Sequence, residues 1–399
     1  MPDLTVSSVV DTFMQSANTT GMRTALGFTN FVPALSTASP NNTVNAAQLY
    51  LSGGSTNVDL ALTPKGTGAF IVGAAPNSAA AGGNKRGNYA VDLQIQRNNA
   101  AYIASGANSA LLGGYNNTAG GQYSAILGGS TNTANGNSAI VLGGQQNSAA
   151  GQGGVSCGSY GAATGANSFA HNSTCAGTNA AGFVASFATG DYSFAAGSNA
   201  TADGSYGIAL GSNTNVTVAG SYGAAIGYNT YSSAEKAIGL GNSASGNRFA
   251  ILTHSSGPVS YGVGDSQSVV SWTGAAEVYS SGSPSFQEMW VGNNYGQRFI
   301  IPTGFICSFF VRIVAHSSDK SQVNEYWRRV RIKNVSATTS LVGSVETIGT
   351  DYVDNATPTF QITADDTNDA LKIEVKGTTD STWYFTARID GVEMKGGYF

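Results

Sequence analysis

The chain repeats one short apolar pattern: SALLGG (Ser109–Gly114), SAILGG (Ser124–Gly129) and SAIVLGG (Ser138–Gly144). The position after the apolar residues recurs every 15 residues at first and then every 11 to 16 residues. These aligned positions are Gly113, Gly128, Gly143, Gly158, Asn172, Ser186, Gly197, Gly211, Gly227 and Gly241. Such a period is too short for a two-helix repeat and predicts one turn of a stacked β-coil.

The apolar residues of the repeat form three columns. One residue before the aligned position stand Leu112, Leu127, Leu142, Cys157, His171, Ala185, Ala196, Leu210, Ile226 and Leu240. Three residues before it stand Ala110, Ala125, Ile140, Val155, Phe169, Phe183, Phe194, Ile208, Ala224 and Ile238. Alternate residues of a strand share a face, so these two columns point the same way. The middle column is also mostly apolar, as at Leu111, Ile126, Val141, Val184 and Ala195. A single coil covers only one face of its strands, so the other face predicts a neighbouring chain.

The pattern SAxxLGG…NTAxG resembles the head repeats of trimeric adhesins, which also occur in bacteriophage tail fibres. The resemblance covers about a third of the chain. It implies a left-handed parallel β-roll in which three chains pack around an axis. It also implies that Leu112, Leu127, Leu142, Cys157 and His171 pack at that axis.

The composition is that of a packed and repetitive protein. Charged residues make up 10% of the chain, against about 25% in ordinary globular proteins, and there are 53 glycines. The net charge is −4 with no basic block, which gives nucleic-acid binding no electrostatic basis. The first residues lack the pattern of a secretory signal, and no apolar stretch is long enough to span a bilayer. We therefore expect no nucleic-acid partner and no membrane insertion.

Four segments follow from the changes in pattern along the chain: residues 1–30, 31–98, 99–246 and 247–399. The first is expected to contain a short amphipathic helix at Thr5–Gln15, and Asp11–Gly27 resembles linker helices near the start of phage tail-fibre proteins. The second is expected to be a small β module, whose Gly82–Gly106 part resembles a module that precedes β-rolls in phage fibres. The third is the β-roll shaft.

The fourth segment is predicted to be an antiparallel β-sandwich, because its strand patterns have polar turns between them and no helical pattern. The predicted strands are Phe305–Val314, Glu325–Val335, Phe360–Ala364, Leu371–Lys376 and Trp383–Ile389. This end also resembles the C-terminal tip domains of phage fibres.

One predicted strand combines an aromatic residue with several cations. On Glu325–Lys333, alternation places Trp327, Arg329, Arg331 and Lys333 on one face. An aromatic ring stacks on sugar rings, and the Arg guanidinium binds carboxylates or phosphates. These four residues are therefore a candidate receptor-binding platform for an anionic glycan. The alternative is an outer sheet face with Trp327 covered by a loop or a subunit.

Two other groups raise the question of metal binding. Three copies of His171 would converge on a trimer axis and hold an ion, although a hydrogen-bonded packing residue is the favoured interpretation. The residues Asp365, Asp366 and Asp369 lie close together, but they lack the calcium-loop pattern, so a solvated turn is favoured. We predict no metal site, because no histidine has a second His at a ligand spacing and no Cys/His cluster is present. We predict no cofactor and no catalytic residues, because no Ser/His/Asp arrangement stands out and Asp191 and Asp203 of the roll lie on separate turns.

The sequence thus favours a structural virion fibre protein, without enzymatic activity, that forms a homotrimer. Its N-terminus would contact other phage tail or baseplate proteins, and its C-terminal domain would bind a host surface glycan or protein. It would assemble in the host cytoplasm and reside in the virion. The alternatives are the head of a bacterial trimeric surface adhesin and an enzymatic tailspike.

Overall fold

The computed structural model describes residues 31–36, 46–51, 57, 59–256, 267–279, 284–291, 295–354 and 357–395. Within these ranges the regular structure is all β, apart from one 3-10 turn at Val218–Gly220. The helix predicted at Thr5–Gln15 lies outside the described residues. Strands β1 (Phe31–Ser36) and β2 (Ala46–Leu51) form an antiparallel pair. They belong to one compact unit, Met1–Lys65, and all later strands belong to a second, Gly66–Phe399.

A parallel β-solenoid occupies the first part of the second unit, so the predicted stacked coil is confirmed. Its first sheet contains β3 (Phe70–Ile71), β4 (Val91–Asp92), β5 (Ala110–Leu111), β7 (Ala125–Ile126), β9 (Ile140–Val141), β11 (Val155–Cys157), β13 (Phe169–His171), β15 (Ala181–Phe183), β17 (Phe194–Ala196), β19 (Ile208–Ser212), β21 (Ala224–Tyr228), β23 (Ile238–Asn242) and β25 (Leu252–Ser256). Its second sheet contains β6 (Thr118–Ala119), β8 (Thr133–Ala134), β10 (Ser148–Ala149), β12 (Ala162–Ala163), β14 (Thr174–Cys175), β16 (Phe187–Ala188), β18 (Thr201–Ala202), β20 (Asn215–Val216), β22 (Tyr231–Ser232) and β24 (Ser245–Gly246). The parallel pairing extends on both sides of residues 99–246, to Phe70 and to Ser256.

The middle column of the repeat fills the interior of the solenoid. Leu111, Ile126 and Val141 are fully buried between the two sheets. They face the small inward residues Ala119, Ala134 and Ala149 of the second sheet, which belong to the same core cluster. Large side chains from one sheet therefore meet small side chains from the other, which allows the two sheets to pack closely.

The register near Phe183 differs from the prediction. Phe183 pairs with His171 and Ala196, so it belongs to the column of Leu112 and not to that of Ala110. Val184 and Ala185 lie in a turn, with φ of 55° and 50°, and not in the strand columns. The turns of the coil shorten here, because Ala181 follows Phe169 by only 12 residues while keeping the same pairing. Matching Phe183 to Phe169 by residue type gave the wrong register.

Close stacking of successive turns requires glycine at one corner, which gives a test of the solenoid. A Cβ on Gly136 would lie 2.1 Å from the carbonyl oxygen of Gly151 in the next turn, whereas one on Gly128 would meet nothing within 4 Å. We expect Gly136→Ala to lower the free energy of unfolding by about 1–3 kcal/mol, because backbone held on both sides cannot move aside. Gly128→Ala is the matched control. Equal thermal unfolding of the two variants would contradict this stacking.

The C-terminal part is an antiparallel β-sandwich, as predicted. Its strands are β26 (Gln267–Tyr279), β27 (Gln287–Glu288), β28 (Trp290–Val291), β29 (Phe299–Ile300), β30 (Phe305–Ser317), β31 (Val323–Val335), β32 (Thr338–Leu341), β33 (Glu346–Thr347), β34 (Tyr352–Val353), β35 (Thr359–Asp365), β36 (Ala370–Lys376) and β37 (Thr382–Lys395). The first sheet continues through β26, β37, β30 and β31. A third sheet, in which β36 pairs with β27, β29 and β35, packs on it through a core that includes Trp272, Phe309, Phe385 and Ile373.

All five strands predicted in this region are present, and each is longer than expected. The strand β26 was not predicted, since its Ser, Thr, Gly and Ala residues give only a weak apolar alternation. It nevertheless joins the solenoid to the sandwich, because it pairs with β25 on one side and with β37 on the other.

A buried ion pair lies at this junction. The guanidinium of Arg248, in the last turn of the solenoid, donates to the carboxylate of Glu393 on β37. It also donates to the carbonyl oxygen of Ile300 at 3.1 Å and lies 4.6 Å from the ring centroid of Trp272. Ile251 of the solenoid belongs to the same apolar core as Trp272. The solenoid and the sandwich therefore share one core.

Candidate recognition surfaces

The outward face of the first sheet carries two apolar columns. The outer Leu column contains Leu112, Leu127, Leu142, Cys157, His171, Phe183, Ala196, Leu210, Ile226, Leu240 and His254. The outer Ile column contains Ala110, Ala125, Ile140, Val155, Phe169, Ala181, Phe194, Ile208, Ala224, Ile238 and Leu252. In the single chain Leu112, Leu127 and Leu142 are each about half exposed, at 51%, 47% and 49%. Thus the five residues predicted to pack at a trimer axis do lie together in one outward column.

The outward face carries aromatic side chains in the turns whose interior side chains are smallest. Phe183 lies 5.3 Å from Phe169 and 5.7 Å from Phe194 between ring centroids, and the ring of His171 lies 6.4 Å from Phe183. The interior residues of the same turns are small, among them Ala170 and Ala195. Hence the larger apolar surface of these turns points outward, where a single chain leaves it in water.

The second sheet presents the opposite character to solvent. Its outward positions are Thr118, Thr133, Ser148, Ala162, Thr174, Phe187, Thr201, Asn215, Tyr231 and Ser245. Hydroxyl and amide groups predominate in this set, and such groups remain favourably hydrated. The outward face of the first sheet is therefore the apolar one, and that of the second sheet is mostly polar.

The candidate platform lies on the outward face of β31, as the alternation predicted. Tyr326, Val330 and Ile332 of the same strand point into the sandwich and are buried. Trp327 is 42% exposed, and its Nε1 donates to Oε1 of Glu325 at 2.6 Å. The guanidinium of Arg312, from β30, lies 5.4 Å from the Trp327 ring centroid and also donates to Glu325. One face of the indole is therefore covered by an arginine of the same chain.

The cations of the platform have carboxylate partners. Arg331 and Arg329 both bond to Glu346, at 2.6 and 3.3 Å. The hydrogen bond from Arg331 lowers the pKa of Glu346, and the hydrogen bonds from Arg312 and then Trp327 lower the pKa of Glu325. Both carboxylates therefore stay ionised to a lower pH than usual, and the pairs weaken only as the pH falls through those lowered pKa values.

Sequence reasoning missed Arg312, Glu325 and Glu346, although they determine the charge of this surface. Four cations, Arg312, Arg329, Arg331 and Lys333, stand against the two carboxylates, which leaves an excess of positive charge. The outward position of Glu325 on the same strand was visible in the alternation. The positions of Arg312 and Glu346 depend on strand pairing and were not.

The three aspartates considered for calcium binding are engaged by the protein. Among residues that the structure describes, no group of three or more His, Cys, Asp or Glu side chains is arranged to hold a metal ion. Asp366 accepts from the backbone N–H of Thr339, and Asp369 accepts from its hydroxyl. Asp365 accepts from Asn368. These carboxylates therefore fix the turn after β35 against the start of β32.

The described part of the chain contains no helix long and apolar enough to cross a membrane. The sequence matches no protein-family model, and it matches no curated protein. The function has to be inferred from the chain's own surfaces.

Proposed function

We propose that the chain is a subunit of a homotrimeric phage fibre, in which the solenoid is the shaft and the C-terminal sandwich meets the host surface. The observation that carries this proposal is the exposed apolar face of the first sheet. It is periodic and uncharged, and its polar counterpart lies on the other side of the coil. Two further copies of the same chain present the same face at the same strand spacing and would cover it.

The resemblance of the repeats and of Asp11–Gly27 to phage fibre sequences supports the virion setting. The outward face of β31 carries charged and aromatic residues, unlike the uncharged outward face of the solenoid, and this supports receptor recognition by the sandwich. Its excess positive charge suits an acidic surface glycan. Three such sites on one fibre would gain affinity by multivalency when receptors are dense.

Adsorption of the full-length protein tests this role. Fluorescently labelled protein would be incubated with a panel of intact bacterial strains, and strains that bind would be used to compare variants. We expect the Trp327→Ala, Arg329→Ala double variant to lose more than about tenfold in binding, as truncation of an aromatic and arginine anchor does at other interfaces. The control Tyr160→Ala removes an aromatic residue of the solenoid that is more exposed than Trp327, at 68% against 42%. Unchanged adsorption by the double variant would remove this surface as the receptor site.

A specific observation favours the adhesin-head alternative, in which the solenoid itself binds. A polar groove of about 160 Å³ runs along the second sheet, lined by Asn199, Asn213 and Asn229 with Thr201 and Tyr231. Loss of adsorption by an Asn199→Ala, Asn213→Ala variant, with no effect of the Trp327 variant, would favour this alternative. Release of reducing sugar from host polysaccharide would favour an enzymatic tailspike.

A further inference from the structure

The outward face of the first sheet does not end with the solenoid. Strand β25 pairs in parallel with β23 and antiparallel with β26, and β37, β30 and β31 follow in the same sheet. Directly paired residues lie on the same face of a sheet. The outer Leu column therefore continues from His254 through Val269, Val392 and Ser308 to Arg331.

The continuation remains apolar across three strands of the sandwich. Val269, Val392, Ile306, Met394 and Phe310 are exposed by 53%, 50%, 47%, 44% and 46% in the single chain. These five residues are called the C-terminal apolar patch. Between them lies a cavity of about 250 Å³, whose walls include Ile306, Val342, Val392 and Met394. Apolar patches of this kind on soluble proteins mark contact surfaces.

The charges on β31 mark where this surface ends. Arg329, Arg331 and Lys333 follow Phe310, Ser308 and Ile306 in the pairing, and the carboxylate of Glu346 bonds to both Arg329 and Arg331. An apolar centre bounded by paired charges is the usual arrangement of a protein interface. Asp390 and Arg388, bonded to each other at 2.6 Å, bound the patch along β37.

We propose that the C-terminal apolar patch is buried against a second copy of this chain, as the continuation of the contact along the solenoid. This inference rests on the proposed trimer. A second copy is the occupant because the outer Leu column and the C-terminal apolar patch form one continuous surface. This surface crosses 14 strands, from β5 to β30, which is a length of about 60 Å at the usual strand spacing. Only a chain with the same strand order places an apolar residue opposite each of these strands. The patch also combines a cavity with a large, half-exposed aromatic side chain, Phe310, whose ring centroid lies 5.3 Å from the guanidinium of Arg329.

The proposal changes the role of the candidate platform. Arg329, Arg331 and Lys333 lie at the rim of the contact between chains, because they pair with Phe310, Ser308 and Ile306. Trp327 and Arg312 form the next outward pair along the two strands, away from the patch, and remain accessible. Receptor binding would then involve the Trp327 side of β31, and substitutions at Lys333 would affect assembly as well as adsorption.

Thiol cross-linking of the full-length protein separates this inference from the trimer itself. Cys157 is a native probe of the outer Leu column, because its side chain is partly exposed, although burial raises the pKa of its thiol too. The other two cysteines are buried, which raises the pKa of Cys175 to about 11 and that of Cys307 to about 12 and keeps them slow to react. The variant Val392→Cys, made together with Cys157→Ser, probes the patch. The control Thr386→Cys, in the same background, lies on the same strand and face but outside the patch.

A short bis-maleimide should link Cys157 of one chain to Cys157 of another. It should also convert the Val392→Cys variant to covalent dimers at least about tenfold more than the Thr386→Cys variant. The reason is that neighbouring chains in an assembly have millimolar effective concentrations. Linking of Cys157 without Val392→Cys would overturn this inference and leave the trimer intact. Linking of Val392→Cys alone would support the patch and contradict the solenoid contact. No linking of either, with a single-chain mass by sedimentation, would overturn both. Circular dichroism would show that each variant is folded.

Discussion

Replacing Glu393 by alanine is expected to lower the free energy of unfolding by about 3–5 kcal/mol, because it leaves the buried guanidinium of Arg248 without a counter-charge. The side chains of Arg248 and Glu393 are only 6% and 2% exposed. The loss should affect both parts of the second unit, since Arg248 belongs to the solenoid and Glu393 to the sandwich. Chemical denaturation of the full-length protein measures it.

Two controls make this expectation specific. The exposed pair Lys236–Glu235 has side chains 51% and 48% exposed, so Glu235→Ala should change stability by no more than about 1 kcal/mol. The double variant Arg248→Met, Glu393→Leu removes both charges and should recover much of the loss. Equal effects of Glu393→Ala and Glu235→Ala would show that the junction is not held by a buried pair.

Replacing Asp92 by asparagine is expected to cost about 3–5 kcal/mol of unfolding free energy at the opposite end of the solenoid, where two buried guanidiniums would lose their counter-charge. The Oδ2 of Asp92 lies 2.6 Å from Nε of Arg86 and 3.5 Å from Arg97, and the three residues are almost fully buried. Desolvation lowers the pKa of Arg97, and the charge of Asp92 partly offsets this effect. A thermal unfolding experiment on the full-length chain measures the change.

The matched control for this substitution is Asp203→Asn, which removes an exposed carboxylate from the same solenoid. Its partner is the hydroxyl of Thr189, so no buried cation is left unpaired. A change within about 0.5 kcal/mol is expected, as for surface substitutions in general. If Asp92→Asn lowered the unfolding free energy as little as Asp203→Asn, the cluster would not stabilise the first turns. The apolar interior from Leu111 onward would then be enough to hold them.

The position of Asp92 explains why this cluster was not foreseen. Asp92 pairs with Leu111, so a carboxylate occupies the level next to the first large apolar residue of the interior column. Its partners come from Arg86 and Arg97, on the segments before and after the strand. The sequence gives no sign that a charged residue between apolar neighbours on a short strand is buried. Its burial follows only from the stacking of the turns.

The repeat period predicted the stacked coil of the solenoid, and local alternation of apolar and polar residues predicted five strands of the sandwich. Alternation also established that Leu112 and Ala110 share one face, and that Trp327 and Arg331 share another. Alternation fixes relative orientation only. Which of the three columns is interior depended on the second sheet, whose small inward residues pack against Leu111, Ile126 and Val141.

The tertiary structure decided the features that join residues far apart in the chain. Arg248 and Glu393 are separated by 145 positions, and Arg331 reaches Glu346 only after β31 and β33 have paired. The continuation of the outer Leu column into Val269 and Val392 likewise depends on the pairing of β26 with β25 and β37. A sequence records spacing within one strand or turn. Charge neutralisation and the extent of an apolar face arise from contacts between strands, and those contacts exist only once the sheets have formed.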